Sequence, residues 1–121
     1  MGTGRTARCA CGYESGMLYL GCGMSGPAVN FPCYCKDCKQ LVVVDLLKKR
    51  IRCPRCRRKH PLVIYDEPEM IGQIGSRVIE RYVEVKQRYG RELTLTNGTY
   101  VCPQCGQHRL KFSTLEMVLW D

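Results

Sequence analysis

Two closely spaced cysteine pairs place the strongest constraint on how this chain can fold. Cys35 and Cys38 form one C-x2-C pair, Cys53 and Cys56 form another, and 14 residues separate the two pairs. Each C-x2-C turn places two sulfur atoms on one side of a tight backbone corner. Two such corners on neighbouring hairpins supply four ligands at tetrahedral angles. The spacing therefore predicts that these four cysteines bind one metal ion in the middle of the chain.

The composition favours metal-bound thiolates over disulfides. Ten of the 121 residues are cysteines, a density typical of either a disulfide scaffold or a metal-binding protein. Residues 1–9 contain no apolar stretch like the core of a secretory signal, and the longest plain apolar run, Leu41 to Val44, is too short to span a membrane. We therefore expect a reducing, cytoplasmic environment in which paired cysteines bind metal, and no association with a membrane.

A second metal site is predicted from cysteines near the two ends of the sequence. Cys102 and Cys105 form a standard C-x2-C pair, whereas a single residue separates Cys9 from Cys11. Two short motifs at these positions are Cys11-Gly12-Tyr13 and Cys102-Pro103-Gln104-Cys105-Gly106. They resemble motifs of the zinc-ribbon and rubredoxin-like families, and the resemblance does not extend to the whole chain. It favours a second four-thiolate site formed by Cys9, Cys11, Cys102 and Cys105, which would bring the N-terminal and C-terminal segments together.

Zinc is the expected metal at both sites, giving two ions per chain. Iron at the second site is the alternative, because tetrahedral thiolate sites accept both metals. Cys33 could replace Cys35 or serve the second site, and His60 or His108 could also act as a ligand. The simpler interpretation treats Cys22 and Cys33 as small apolar residues and both histidines as surface imidazoles.

The remaining pattern predicts a small α+β metal-bound fold, with zinc-ribbon β-hairpins and one amphipathic helix. Pro68 suits the first turn of that helix, and Gly90 suits its C-terminal cap. Apolar residues recur between them at three- and four-residue steps. The residues of this predicted helical face are Ile71, Ile74, Val78, Tyr82, Val85 and Tyr89.

Short β-strands are predicted on either side of the helix, and together they define the expected organisation. The predicted strands are Met17 to Leu20, Leu41 to Leu47, Pro61 to Tyr65, Leu93 to Thr96, Thr99 to Val101 and a closing strand over 111–119. Residues 1–121 are expected to form a single compact domain. Within it, residues 33–65 form the central zinc ribbon, residues 66–91 a helical connector, and residues 92–121 together with 9–13 the second ribbon.

The formal charge of +8 comes from one short window. Residues 48–60 contain eight lysines and arginines and no acidic residue, whereas the rest of the chain has equal numbers of basic and acidic residues. The leading functional hypothesis is that the ribbon presents this window to the backbone of RNA or DNA. Its candidate contacts are Lys48, Lys49, Arg50, Arg52, Arg55, Arg57, Arg58 and Lys59. The alternative is a solvated charged turn that keeps the protein in solution.

Two further functional hypotheses come from other classes. The predicted helix could dock on a protein partner, so that the chain serves as an adaptor in a larger assembly. A rubredoxin-like iron site could instead carry electrons.

Tyr34 and Tyr65 are the aromatic residues nearest the basic window, and so few stacking groups predict little base specificity. The sequence shows no catalytic constellation and no site for a small-molecule substrate, so we expect no enzymatic activity.

Overall fold

The chain folds mainly as antiparallel β-structure. The computed structural model describes residues 2–21, 28–58 and 61–113. Of these residues, 45% lie in strands and 7% in helix, and the main sheet curls into a half-barrel. The predicted α+β fold with one amphipathic helix is therefore wrong. Within the described ranges, no helix is both long and apolar enough to cross a membrane.

Nine strands and two very short helices make up the described structure. The strands are β1 (Gly2–Arg8), β2 (Glu14–Gly21), β3 (Asn30–Cys35), β4 (Gln40–Asp45), β5 (Leu62–Ile64), β6 (Val78–Tyr82), β7 (Leu93–Thr96), β8 (Tyr100–Val101) and β9 (His108–Phe112). The helices are a 3-10 turn at Pro68–Met70 and α1 at Lys86–Tyr89. The main sheet has the strand order β4-β3-β2-β1-β9-β8, β5 also pairs with β3, and β6 and β7 form a separate hairpin.

The central ribbon consists of β4, β3 and β5. Cys35, at the end of β3, lies opposite Gln40 of β4 and opposite Leu62 of β5. Val42 and Val44 of β4 are buried, whereas Leu41 and Val43 are half-buried, so the strand alternates between the core and a more open face. Because Cys35 faces both Gln40 and Leu62, the β3–β4 turn and the C-terminal part of the β4–β5 loop lie at the same end of the ribbon.

The predicted helix over the apolar face of residues 71–89 is replaced by turns, by β6 and by α1. Gly72 and Gly75 lie so close to the β7–β8 turn that a Cβ on Gly75 would be 2.3 Å from the backbone nitrogen of Gly98. Gly72 donates its N–H to the carbonyl oxygen of Thr99, and Thr99 donates to that of Gln73. These contacts are incompatible with a helix over residues 72–75, so among the described residues α-helix forms only at Lys86–Tyr89. Gly90, with φ of 74°, caps that short helix as predicted.

A buried polar network ties the β6–β7 hairpin to the main sheet. Arg5 of β1 and Glu80 of β6 are 6% and 9% exposed, and their side chains form an ion pair at 2.7 Å. Glu80 also accepts hydrogen bonds from Thr3 and Tyr82, and Arg5 donates to the carbonyl oxygen of Ser113. The network joins β1, β6 and the residue that follows β9. Because both charges are paired and hydrogen-bonded, their burial is tolerated.

An aromatic cluster fills the core between the two ends of the sheet. Tyr65 is fully buried and packs edge-on against Tyr34, Tyr100 and Phe112. Its hydroxyl donates to the carbonyl oxygen of Val101 over 3.0 Å. Tyr65 therefore contacts residues that directly precede Cys35 and Cys102, and so connects the two regions that contain the cysteine pairs.

Candidate metal centres and the adjoining basic surface

The central cysteine group forms where the β3–β4 turn meets the β4–β5 loop. Cys35 and Cys38 come from the turn, and Cys53 and Cys56 come from the loop. The Sγ atoms of Cys35 and Cys56 are 3.6 Å apart, and those of Cys38 and Cys53 are 3.9 Å apart. All four Sγ atoms lie within 4.8 Å of one another.

The second group brings together the same four cysteines that the motif resemblance favoured. Cys9 and Cys11 lie in the β1–β2 turn, and Cys102 and Cys105 lie between β8 and β9. The Sγ atoms of Cys9 and Cys105 are 3.8 Å apart, and those of Cys11 and Cys102 are 3.7 Å apart. The two turns meet because β1 pairs with β9, with Ala7 opposite Phe112.

The sulfur distances fit a metal-centred tetrahedron and not disulfides. Sulfurs at ~2.3 Å from a central zinc ion are ~3.8 Å apart along each tetrahedral edge, whereas a disulfide joins its sulfurs at ~2.05 Å. The distances of 3.6, 3.7, 3.8 and 3.9 Å match the tetrahedral edge. Four soft sulfur donors suit zinc and iron alike. Each group could therefore hold a metal ion, and the geometry alone does not distinguish these two metals.

Backbone hydrogen bonds close the three standard cysteine turns in the same way. The residue after the second cysteine donates its N–H to the carbonyl oxygen of the first cysteine. The bonds are Lys39 to Cys35 at 2.8 Å, Arg57 to Cys53 at 2.8 Å and Gly106 to Cys102 at 2.9 Å. Each pair is thus held in a tight turn by a hydrogen bond between residues close in sequence. For this reason, the spacing of the two cysteines in the sequence predicts that their sulfur atoms lie close together.

The shorter Cys9-x-Cys11 turn reaches an equivalent geometry with one residue fewer. Gly12 donates to the carbonyl oxygen of Cys9 at 3.0 Å, and Cys9 donates to that of Tyr13 at 3.0 Å. Gly12 has a φ of 101°, a conformation that side chains other than glycine rarely adopt. The glycine in Cys11-Gly12-Tyr13 therefore compensates for the missing residue.

Without a metal ion, the thiols within a group do not ionise equally. Burial raises the pKa of Cys38 and that of Cys102 to about 12. Burial also acts to raise the pKa of Cys53, but hydrogen bonds from the backbone N–H groups of Cys56 and Arg55 outweigh it and lower this pKa to about 7. A bound dication stabilises all four thiolates, so metal binding must displace protons.

The other candidate ligands lie apart from both groups or outside the described residues. Cys33 is buried and unpaired, and burial raises its pKa to about 12, which confirms its interpretation as a small apolar residue. His108 is exposed on β9, and its Nε2 lies 3.1 Å from the carbonyl oxygen of Glu69, as a surface imidazole would. Cys22 and His60 lie outside the described residues.

A basic surface surrounds the central cysteine group. Its described members are all exposed: Lys48, Lys49, Arg50, Arg52, Arg55, Arg57 and Arg58. Arg58 pairs with Asp37 at 3.0 Å, where both side chains are exposed. The other six form no ion pair with a carboxylate in the described part of the chain. Lys59, the eighth predicted contact, lies outside that part.

Two residues of this region adopt a left-handed backbone conformation. Arg57 has a φ of 60° and Lys39 a φ of 52°, and no other described non-glycine residue has a positive φ. The equivalent positions after Cys11 and Cys105 are glycines. A left-handed conformation costs roughly 1–2 kcal/mol for residues with a Cβ. The left-handed conformation of Lys39 was not predicted. The signal for it was the position of Lys39 directly after a cysteine pair, because two other cysteine turns have glycine there.

Arg88 of α1 holds the loop that contains the basic residues. Its guanidinium donates to the carbonyl oxygens of Leu46 at 3.3 Å, Lys48 at 2.6 Å and Lys49 at 3.4 Å. This role of Arg88 was not predicted, because about 40 residues separate Arg88 from the loop in the sequence. The loop is therefore anchored at one end by Arg88 and at the other by the cysteine turn.

The two aromatic residues nearest the basic window are poorly placed to stack on bases. Tyr65 is fully buried in the aromatic cluster, and Tyr34 is half-buried against it. Base stacking requires an accessible ring face. The prediction of little base specificity is consistent with this placement.

Comparisons of the chain with protein-family models, with curated protein sequences and with solved structures found no match. The function of the cysteine groups and of the basic surface is therefore inferred from their geometry and chemistry.

Proposed function

We propose that this protein binds two zinc ions in structural sites and uses the surface around the central site to bind the phosphate backbone of nucleic acid. The observation that carries the proposal is the set of exposed cations around the central cysteine group. Six of its seven described members have no ion-pair partner among the described carboxylates. Cations that no carboxylate of the protein neutralises are available to an external polyanion.

Zinc is the metal we propose for both groups. Four cysteine thiolates are a typical complete ligand set for structural zinc, and they leave no open position for a water or a substrate. A closed site of this kind stabilises a fold and supports no hydrolytic chemistry. Iron at the second group is the alternative, and it predicts a coloured protein.

Backbone binding would act through counterion release. Each lysine or arginine that neutralises a phosphate displaces condensed cations from the nucleic acid, so affinity falls as salt rises. The metal in the central group would fix Arg55 and Arg57 within one rigid turn, while Arg88 fixes the backbone at Lys48 and Lys49. Because Tyr65 is buried and Tyr34 is half-buried, we expect similar affinities for different base sequences.

The protein-adaptor hypothesis has lost the feature on which it rested. The predicted helix is not formed: Tyr82 is buried in β6, whereas Ile74 is 78% exposed in a turn. Scattered exposed apolar residues are normal on protein surfaces and do not identify a docking face. Nucleic-acid binding is therefore the function we favour.

The test is a salt titration of binding to short RNA and DNA strands, single and double, followed by fluorescence anisotropy. We expect affinity to fall steeply between about 50 and 200 mM salt. Changing Arg55, Arg57 and Arg58 together to Ala should weaken binding and reduce the slope on single strands by about 2. The matched control changes the exposed residues Arg77, Arg109 and Lys111, which carry the same total charge elsewhere on the surface. Equal slopes for the two triple variants would contradict the proposal.

A further inference from the structure

A concave site lies within the basic surface, beside the central cysteine group. The cavity has a volume of about 300 Å³. Its wall and floor comprise Val43, Val44 and Asp45 of β4, Lys48, Arg50 and Arg52 of the following loop, and Cys53, Pro54 and Arg57 of the second cysteine turn. It therefore combines an apolar part with four cationic side chains.

The cationic side chains that line this cavity outnumber the acidic ones, which favours binding of an anion. Lys48, Arg50, Arg52 and Arg57 form no ion pair with a carboxylate of the described residues. Asp45, the one acidic residue in the wall, accepts hydrogen bonds from backbone N–H groups. Its Oδ1 accepts hydrogen bonds from the N–H of Val29 at 3.1 Å and of Leu47 at 3.0 Å. Asp45 thus shapes the loop and forms no ion pair with the four cations.

Hydrogen bonds hold the backbone of the residues that form the cationic wall. Arg57 extends from a backbone position with φ of 60°, which is closed by its hydrogen bond to Cys53. On the opposite side, Arg88 fixes the carbonyl oxygens of Lys48 and Lys49. A fixed backbone reduces the conformational entropy that the loop loses when its side chains bind an anion.

We propose that this cavity binds a phosphate monoester, as found at the end of a nucleic-acid strand. The inference rests on the proposed nucleic-acid function. It specifies that a terminal phosphate is the part of the nucleic acid that the cavity binds. A monoester carries about −1.5 to −2 charges at neutral pH, more than the single charge of each internal phosphodiester, so four clustered cations favour it. A concave site also accepts a chain end more readily than the middle of a continuous strand. Val43 and Pro54 provide an apolar surface for the adjoining sugar.

The experiment compares one single-stranded oligonucleotide in forms that differ only at the ends. The forms carry a 5′-phosphate, a 3′-phosphate or two hydroxyl ends, and adenosine monophosphate serves as a free monoester competitor. We expect a terminal phosphate to tighten binding by about tenfold. The free mononucleotide should compete for the phosphorylated strand, which would show that the monoester itself is recognised.

Two variants connect the preference to the cavity. Arg52→Ala removes one cationic wall residue, and Arg57→Gly removes another at a position where glycine is the favoured residue. Both should abolish the preference for the terminal phosphate. The control variant lacking the charges of Arg77, Arg109 and Lys111 should keep it. We expect Arg57→Gly to keep the fold because it relieves backbone strain, and metal content checks that the variant is folded.

The outcomes separate this inference from the proposed function. Equal, salt-dependent binding of all forms would overturn the cavity inference and leave backbone binding intact. Binding of the mononucleotide without binding of any strand would overturn nucleic-acid binding and support the cavity as a monoester site. Binding of neither would overturn both. A preference that persists in Arg52→Ala and Arg57→Gly would place the monoester site elsewhere and contradict the inference.

Discussion

Arg57 donates its backbone N–H to the carbonyl oxygen of Cys53 over 2.8 Å while holding a φ of 60°. The bond closes the turn that presents Cys53 and Cys56 to the central group. In the second group, Gly106 makes the corresponding bond to Cys102 at 2.9 Å, with a φ of 74°. The same backbone geometry is therefore adopted by glycine in one turn and by a long cationic residue in the other.

This relationship predicts opposite effects of exchanging the two residue types. Arg57→Gly should stabilise the metal-bound protein by about 1 kcal/mol while weakening nucleic-acid binding. Gly106→Ala should destabilise it by about 1 kcal/mol, through backbone strain alone, because no atom lies within 4 Å of the added Cβ. Chemical unfolding in excess zinc measures both. A destabilised Arg57→Gly protein would show that the arginine supports the fold and is not retained for binding.

The buried pair of Arg5 and Glu80 should be essential to stability. Glu80→Ala leaves the Arg5 guanidinium buried without its carboxylate, and we expect a loss of about 3–5 kcal/mol in the free energy of unfolding. The control, Glu92→Ala, breaks the more exposed pair that Glu92 forms with Arg81, the residue next to Glu80, and should cost less than about 1 kcal/mol. Similar losses in the two variants would contradict the buried network.

Zinc binding should release protons and weaken as pH falls. Burial raises the pKa of Cys35, and burial raises that of Cys38 to about 12, so both thiols are protonated at neutral pH in the metal-free protein. Zinc must displace these protons, so we expect the release of at least about two protons per ion at the central site. Calorimetry in two buffers of different ionisation enthalpy counts them. Heats that do not depend on the buffer would show that the thiolates are already formed.

Arg88 should act by positioning the basic loop and not by contacting phosphate. Arg88→Ala removes the hydrogen bonds to Leu46, Lys48 and Lys49 and should weaken binding by on the order of 1 kcal/mol, with the salt slope unchanged. Lys86→Ala, in the same helix, removes an equal charge and should have little effect. A slope that falls in Arg88→Ala would instead identify Arg88 as a phosphate contact.

The cysteine pairs could be anticipated because the geometry within each pair is local, whereas the resemblance of two short motifs favoured the association of Cys9 and Cys11 with Cys102 and Cys105. Each pair lies in a turn that is closed by a hydrogen bond of its own backbone. The number of residues between the two cysteines therefore predicts how close their sulfur atoms lie. Even the short Cys9-x-Cys11 turn follows this logic, since Gly12 supplies the unusual conformation that it needs. The position of the basic window was equally visible, since it depends only on the order of residues.

The helix was wrongly predicted because long-range contacts override the apolar period. Gly75 has to lie against Gly98, and Glu80 has to face Arg5, which is 75 residues away. Neither requirement appears in the spacing of Ile71, Val78 and their neighbours. The cavity and the role of Arg88 were hidden for the same reason, because they depend on segments distant in sequence.

The most direct measurement is the metal content of the purified native protein, determined by elemental mass spectrometry against protein concentration. Two zinc ions per chain, in a colourless protein, is the result we predict. Cys53→Ser and Cys102→Ser should each lower the content to one ion, because each variant removes a ligand from a different group. A native protein without metal, or a variant that still holds two ions, would contradict the assignment of the eight cysteines to two metal sites.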